Sequence, residues 1–248
     1  MTKACVIIPS YNVAKTIGSI VYELRKQDLD VLVVDDGSTD STSEAAAKSG
    51  AIVLKNQVNR GKGAALRRGL QYAVDNGYHT LITMDGDGQH SPEDIINFLK
   101  AQAMHPEAEM IIGNRMQCPG GMPFLRLLTN RLMSTFISWL CRQRIPDSQN
   151  GFRLIKRRSL QAMKLKSSRF EIESEIILEA ARIGAQIISI PVCPIYKGHP
   201  SSISPLLDTL RFIRFSLPYL RSRPRGSHKP EGNGAASDSR SHNYGTKG

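Results

Sequence analysis

Three short apolar runs, Ala4–Ile8, Val31–Val34 and Ala51–Leu54, are spaced one helix length apart, and each stops at a cluster of polar residues. A continuous apolar run of four or five residues is the mark of a strand buried on both faces. Between the first two runs, the segment Ala14 to Lys26 carries Ile17, Ile20, Val21 and Leu24 at helical spacing. Between the second and third, Asp40 or Ser41 can cap a helix that runs through Lys48. This regular alternation predicts a doubly wound α/β sheet, whose ligands sit outside the carboxyl ends of its strands. Those ends are where the polar residues gather: Pro9-Ser10-Tyr11-Asn12, Asp35 to Asp40, and Asn59-Arg60-Gly61-Lys62-Gly63 ahead of a helix from Ala64 to about Asn76.

The fourth apolar run, Tyr78 to Ile82, leads into Thr83-Met84-Asp85-Gly86-Asp87-Gly88-Gln89-His90, and Ser91-Pro92-Glu93-Asp94 reads as a helix start with Pro at its first position. Alternate residues of an extended segment share a face, which predicts that Asp85, Asp87 and Gln89 converge. Oxygen ligands of this kind suit Mg²⁺ or Mn²⁺, shared with substrate phosphates. The bland alternative is a solvated Asp/Gly turn. Further along, Ile95 to Met104 is predicted as a helix and Met110 to Ile112 as a strand closing in Gly113-Asn114-Arg115. Pro123 to Arg144 is dense in apolar residues and carries Arg126, Arg131, Arg142 and Arg144, which suits either a core helix or one lying in a membrane interface. Asp147 begins a loop into the short strand Leu154-Ile155; Phe170 to Ile183 is a helix and Ile187 to Val192 the last strand. Leu206 to Leu220 is a second basic amphipathic helix, and the polar stretch 223–248 is expected to be disordered, leaving 1–222 as the folded domain.

A net charge of +11 points to an anionic partner: nucleic acid, lipid or a phosphorylated substrate. Nucleic acid is disfavoured, because the chain has no zinc-finger spacing, aromatic RNA-binding signature or basic recognition helix. Cys5, Cys118, Cys141 and Cys193 are scattered without a CxxC pair and read as reduced thiols. Met1-Thr2-Lys3-Ala4 runs straight into the first strand, so no secretory leader is expected, and no apolar run is long enough to span a bilayer.

Taken in order, Val6 to Asn12, Val33 to Asp40, Asn59 to Gly63 and Asp85 to His90 resemble the family 2 glycosyltransferases of the GT-A fold. Gly113-Asn114-Arg115 and Gly151-Phe152-Arg153 narrow the resemblance to the dolichyl-phosphate mannose synthases and their polyprenyl-phosphate relatives. It covers residues 4 to roughly 217 and implies a mixed sheet flanked by helices, with amphipathic helices near the acceptor. It further implies that Pro9, Tyr11 and Asp36 hold the nucleotide of a UDP- or GDP-sugar, and that Asp85, Asp87 and Gln89 hold the metal. Arg60 and Lys62 either contact phosphate or are solvated loop charges. In the lipid-phosphate branch Arg115 and Arg131 match arginines that clamp the acceptor phosphate. Asp147 is either a general base for a hydroxyl acceptor or a cap. Two departures stand out: Val13 replaces a Glu of the mannose synthases, and the lysine after the last strand is missing, with Lys197 as a substitute.

The expectation is therefore a metal-dependent, inverting transfer of a hexose to a polyprenyl or dolichyl phosphate. The enzyme would sit peripherally on the cytoplasmic face of a membrane, held by anionic lipid or by a membrane-protein partner. Transfer to a sugar hydroxyl is the second enzyme reading. Two non-enzyme readings, a phospho-acceptor signalling domain and a lipid-binding adaptor, are disfavoured by the acidic cluster at Asp85 and Asp87.

Overall fold

The computed structural model of the chain describes residues 3–195, 215, 216 and 219. Seven strands form one sheet in the order β3-β2-β1-β4-β6-β5-β7. These are β1 Ala4–Ser10, β2 Asp30–Asp35, β3 Ile52–Lys55, β4 Thr80–Thr83, β5 Met110–Asn114, β6 Arg153–Lys156 and β7 Ile187–Pro191. Strands β1 to β4 pair in parallel, as the alternation predicts, and β5 pairs in parallel with β7. Strand β6 enters between β4 and β5 and runs antiparallel to both, so the sheet is mixed.

Helices α1 (Ala14–Arg25), α2 (Thr42–Lys48), α3 (Lys62–Asp75), α4 (Ile95–Met104), α5 (Phe124–Cys141), α6 (Arg157–Ala162) and α7 (Ile172–Arg182) cover the two faces. Because strand side chains alternate, Val6, Ile8, Val31 and Val33 face one layer, with Ile17, Val21 and Leu24 of α1 and Phe98 of α4. Cys5, Ile7, Leu32 and Val34 face the other, with Leu66 and Leu70 of α3, Ile137 of α5 and Ile176 of α7. Apolar runs with no polar alternation are what a sheet buried on both sides requires. Asp40 caps two helices at once: Oδ1 accepts from the Thr42 amide at 3.0 Å and Oδ2 from the Ala14 amide at 3.1 Å. Pro92 opens a 3₁₀ turn, Pro92–Asp94, that feeds α4.

Two expectations are corrected. The helix predicted over Phe170 to Ile183 spans Ile172–Arg182, and its Glu173, Glu175 and Glu179 are buried. The reading of four reduced thiols holds for the buried Cys5 and Cys141, whereas Cys118 and Cys193 form a disulfide with Cα atoms 5.2 Å apart. The β5–β7 pairing explains it: Asn114 lies beside Pro191, so the segments leaving these two strands run together although the cysteines are 75 residues apart. The predicted helix at Leu206 to Leu220 lies outside the described residues, apart from Phe215, Ser216 and Tyr219. So do Lys197, Arg211, Arg214, Arg221 and Arg223, and the tail 223–248.

Candidate active site

The carboxyl ends of β1, β2 and β4 point to one edge of the sheet, and their loops are stitched together. The Asn12 amide donates to Ser38 Oγ at 2.9 Å, the Thr39 amide donates to Asn12 Oδ1 at 2.9 Å, and the Val13 amide donates to Thr42 Oγ1 at 2.9 Å. Tyr11 stands half exposed on this rim. Asp35 is structural: Oδ1 accepts from the Ser38 amide at 2.8 Å and Oδ2 accepts from Ser43 Oγ at the start of α2. Asp36 does a different job. It accepts from Asn56 Nδ2 (2.7 Å) and from the amides of Arg60 (3.0 Å) and Gly61 (2.7 Å), so it shapes the loop before α3.

Asp85 sits just past β4, half-buried. Asp87 is exposed, and its Oδ1 accepts from the Gln89 amide at 2.9 Å. That local bond closes a turn in which Gly88 takes φ +78°, a conformation glycine adopts at little cost. The expected convergence by strand alternation is therefore corrected: Asp85, Asp87 and Gln89 share a turn and not an extended face. Asp85 itself needs Gly151, since a Cβ there would come within 2.9 Å of Asp85 Oδ2.

The strongest electrostatic feature is one that sequence reasoning only half found. Lys62, the first residue of α3, places its ammonium 2.7 Å from Asp85 Oδ1 and also pairs with Glu173 of α7. His90 Nε2 lies 3.7 Å from the other Asp85 oxygen. Burial works against the Asp85 charge, but Lys62 and His90 outweigh it and hold the carboxyl well below the usual carboxylate range. Burial likewise opposes the Lys62 ammonium, and Asp85 and Glu173 outweigh it, so Lys62 stays charged at any ordinary pH. Pro9 and Arg153 border the same small cavity. The Arg153 guanidinium is fully buried and donates to the carbonyls of Asn150 (2.7 Å), Ser148 (2.9 Å) and Glu173.

The donor set suits a hard divalent cation: two carboxylates and an amide oxygen, with Lys62 holding Asp85 as a protein-borne cation would. Among the described residues no three His, Cys, Asp or Glu side chains gather into a closed metal cage. That is consistent with Mg²⁺ or Mn²⁺ sites that draw part of their coordination from substrate phosphates.

On the other flank, Arg115 and Asp147 are buried together. Nε of Arg115 donates to Oδ2 at 2.8 Å, Nη2 donates to Oδ1 at 2.9 Å, and the Arg115 amide donates to Oδ2 at 3.1 Å. Both Asp147 oxygens thus hold an arginine. Helix α5 is tied to the same loop, because the Ser148 amide donates to Ser134 Oγ at 2.9 Å. One turn earlier, Asn130 is buried with its Nδ2 unpaired among the described residues, while Arg131 beside it is exposed. The structure therefore brings Pro9, Lys62 and Asp85 together, pairs Arg115 with Asp147, and leaves Arg131 on an outer surface.

The sequence pattern of the Glycosyl transferase family 2 matches residues 5–163, from β1 to just past α6. The chain belongs to this family. The glycosyltransferase is 29% identical over 216 residues to the UDP-N-acetylglucosamine–dolichyl-phosphate N-acetylglucosaminyltransferase of Methanococcus voltae, covering 78% of this chain and 86% of that one. It is 30% identical over 200 residues to the undecaprenyl-phosphate mannosyltransferase of Micrococcus luteus, covering 75% and 81%. Its fold matches glucosyl-3-phosphoglycerate synthase from Mycobacterium tuberculosis, crystallised with Mn²⁺, UDP and phosphoglyceric acid. There the TM-score is 0.67 at 20% identity, over 90% of this chain and 78% of that one. A likeness at that identity speaks for the GT-A architecture alone.

Three site residues of this glycosyltransferase escaped sequence reasoning. Glu173 lies beyond the matched segment, on a helix that carries several other glutamates. The signal for Glu173 was its neighbour Ile172, which marks that part of the helix as core. Asn130 was a lone amide in an apolar helix, a position where a polar group needs a reason. His90 was read only as the end of the acidic stretch; it carries no signal of its own.

Proposed function

We propose that the protein transfers a hexose, with inversion, from a nucleotide-diphospho-sugar to a polyprenyl or dolichyl phosphate. The observation that carries this reading is the buried Arg115–Asp147 fork on the flank of a donor-type acidic turn. The Methanococcus and Micrococcus relatives are named for different sugars yet for the same class of acceptor, so the acceptor class carries over and the sugar does not. A phosphate monoester is largely ionised near neutrality, its second pKa being about 6, so its oxygen attacks the anomeric carbon without a base. The bond from that carbon to the donor diphosphate breaks in line, and the nucleoside diphosphate departs. What the acceptor needs is a positioned cation. The Asp147 fork fixes the plane of the Arg115 guanidinium, a group whose planar geometry matches phosphate oxygens.

On the donor side, Pro9, Tyr11 and Asp36 border the nucleotide position, and Asp36 also shapes the Arg60–Gly61 backbone beneath it. Asp85, Asp87 and Gln89 would hold Mg²⁺ or Mn²⁺, which neutralises the charge growing on the leaving diphosphate. With Asp85 engaged in that way, Lys62 would keep its pairing with Glu173 and could face the diphosphate. Transfer to a sugar hydroxyl is the weaker reading, because its candidate base, Asp147, is committed to Arg115.

The acceptor lies in a bilayer, and no helix among the described residues is long and apolar enough to cross one. Helix α5 exposes Phe124, Leu125, Leu128 and Leu132 in company with Arg131, which supports peripheral attachment to the anionic cytoplasmic leaflet, directly or through a membrane partner. A donor screen with radiolabelled UDP- and GDP-sugars, run with Mn²⁺, Mg²⁺ or chelator, tests the donor half. One donor should be turned over only with metal, and Asp87→Ala should remove that turnover; full turnover in chelator overturns the metal assignment.

A further inference from the structure

A second cavity, of about 740 Å³, opens between α3 and the segment from α6 to Leu165, and it shares no lining residue with the Lys62–Asp85 cluster. Its size is that of a small-molecule site. The floor is apolar and buried: Leu70 and Val74 from α3, Leu160 from α6, and Met163. The rim is basic. Among the described residues Arg60, Arg67 and Arg68 line it against one acid, Asp75, which already accepts from Gln71 Nε2 at 2.8 Å. Arg68 is committed as well, donating to the Lys55 carbonyl at 2.9 Å and to Asn56 Oδ1. Arg67 is not: among the described residues its buried Nε has no hydrogen-bond partner, a condition that folded proteins rarely leave in place.

We propose that this cavity is a second ligand site, for an alkyl phosphate. The phosphate head would lie against Arg60 and Arg67 and the short apolar body against Leu70, Val74, Leu160 and Met163. Guanidinium groups favour phosphate because their planar fork matches its oxygens, and the buried floor removes apolar surface from water. Inorganic phosphate satisfies only the first half of the site.

The cavity also touches the donor loop. Asn56, on its wall, donates to Asp36, and Asp36 in turn holds the amides of Arg60 and Gly61. A ligand that engages Arg60 therefore stiffens the loop carrying those amides. This coupling rests on the donor role proposed for Asp36; the binding itself does not.

Calorimetric titration of the full chain with hexyl phosphate, inorganic phosphate and hexanol tests the proposal, and flotation on vesicles with and without phosphatidic acid separates a lipid headgroup from a free ligand. Hexyl phosphate should bind more tightly than either fragment. Arg67→Ala should weaken it about tenfold or more, the loss of one charge-assisted contact. Arg67→Lys should restore part of the affinity, and Met163→Trp should fill the floor and block binding, with thermal melts verifying each fold. Hydrogen exchange at the Arg60 and Gly61 amides should slow on binding. Flotation on phosphatidic acid vesicles above that on charge-matched phosphatidylglycerol vesicles, with the excess lost in the same variants, supports the site with a lipid as its source. Binding that survives both Arg67→Ala and Met163→Trp, equal affinity for inorganic phosphate, or no binding in any arm overturns the site. Binding without slowed exchange overturns the coupling. None of these readouts uses sugar transfer, so they stand whether or not the donor reading does.

Discussion

The ammonium of Lys62 lies 2.7 Å from Asp85 Oδ1 and bridges it to Glu173, so a lysine neutralises the acidic turn from within. Removing it strands two carboxylates in a site where their partner is less than a quarter exposed. Lys62→Met should therefore destabilise the fold by about 3 kcal/mol, the cost of breaking a buried pair on one side. Adding Glu173→Gln should recover part of that loss. Because the ammonium competes with metal for Asp85, Lys62→Met should also tighten Mn²⁺ binding, read by electron paramagnetic resonance. Weaker Mn²⁺ binding in that variant would contradict the competition.

The Arg115–Asp147 fork makes a separable claim. Arg115→Lys and Asp147→Asn should each raise the Michaelis constant for the lipid phosphate about tenfold or more while leaving that for the donor nearly unchanged, since lysine cannot reproduce the fork. Arg131→Ala should do so more weakly, as expected of an exposed side chain. A donor-side defect instead would move these arginines to the leaving diphosphate.

Glu179 provides a pH signature of the fold. Burial raises its pKa, but Arg182, the Lys164 amide and Tyr219 outweigh burial and leave the carboxyl below its ordinary value. A folded-state pKa below the unfolded value of about 4.3 contributes stability above that pH and loses it as pH falls through the folded value. Glu179→Gln should lower the melting midpoint near neutrality by about 2–4 °C, corresponding to about 1 kcal/mol. The gap from the parent protein should close in acid. A gap independent of pH would mean that packing, not charge, is lost.

Helix α5 carries the membrane claim. Replacing Leu128 and Leu132 by Ser should abolish flotation with anionic liposomes without lowering the melting temperature, because both side chains are already exposed. Raised salt should weaken flotation of the parent chain, since each basic residue near an anionic leaflet contributes about 1 kcal/mol that salt screens. Unchanged flotation of the Leu128/Leu132 variant would shift attachment to another surface or a partner.

Much of this architecture is legible in the chain because burial on both faces leaves an unambiguous trace. Val31 to Val34 has no polar residue to alternate with, and α1 repeats its apolar residues with the period of a helix. What the sequence hid was long-range. Nothing local in Arg153–Lys156 tells that β6 inserts antiparallel between β4 and β5. Arg157–Ala162 is too short for a helical period to emerge, so α6 went unread. The Cys118–Cys193 pair depends on β5 meeting β7. At the site, Asp85 and Asp87 were evident from their spacing, but Lys62, which pairs with Asp85, also pairs with Glu173, 111 residues away, and the two meet only through the packing of α3 with α7.

The most direct measurement of the central claim is transfer of radiolabelled sugar from the preferred nucleotide-sugar into the organic phase, with polyprenyl phosphate and the unphosphorylated polyprenol compared as acceptors. The account predicts labelled lipid from the phosphate alone, with the Arg115→Lys yield restored by excess acceptor and no product from Asp87→Ala. Equal labelling of the polyprenol, or transfer only to a soluble glycan hydroxyl, would contradict it.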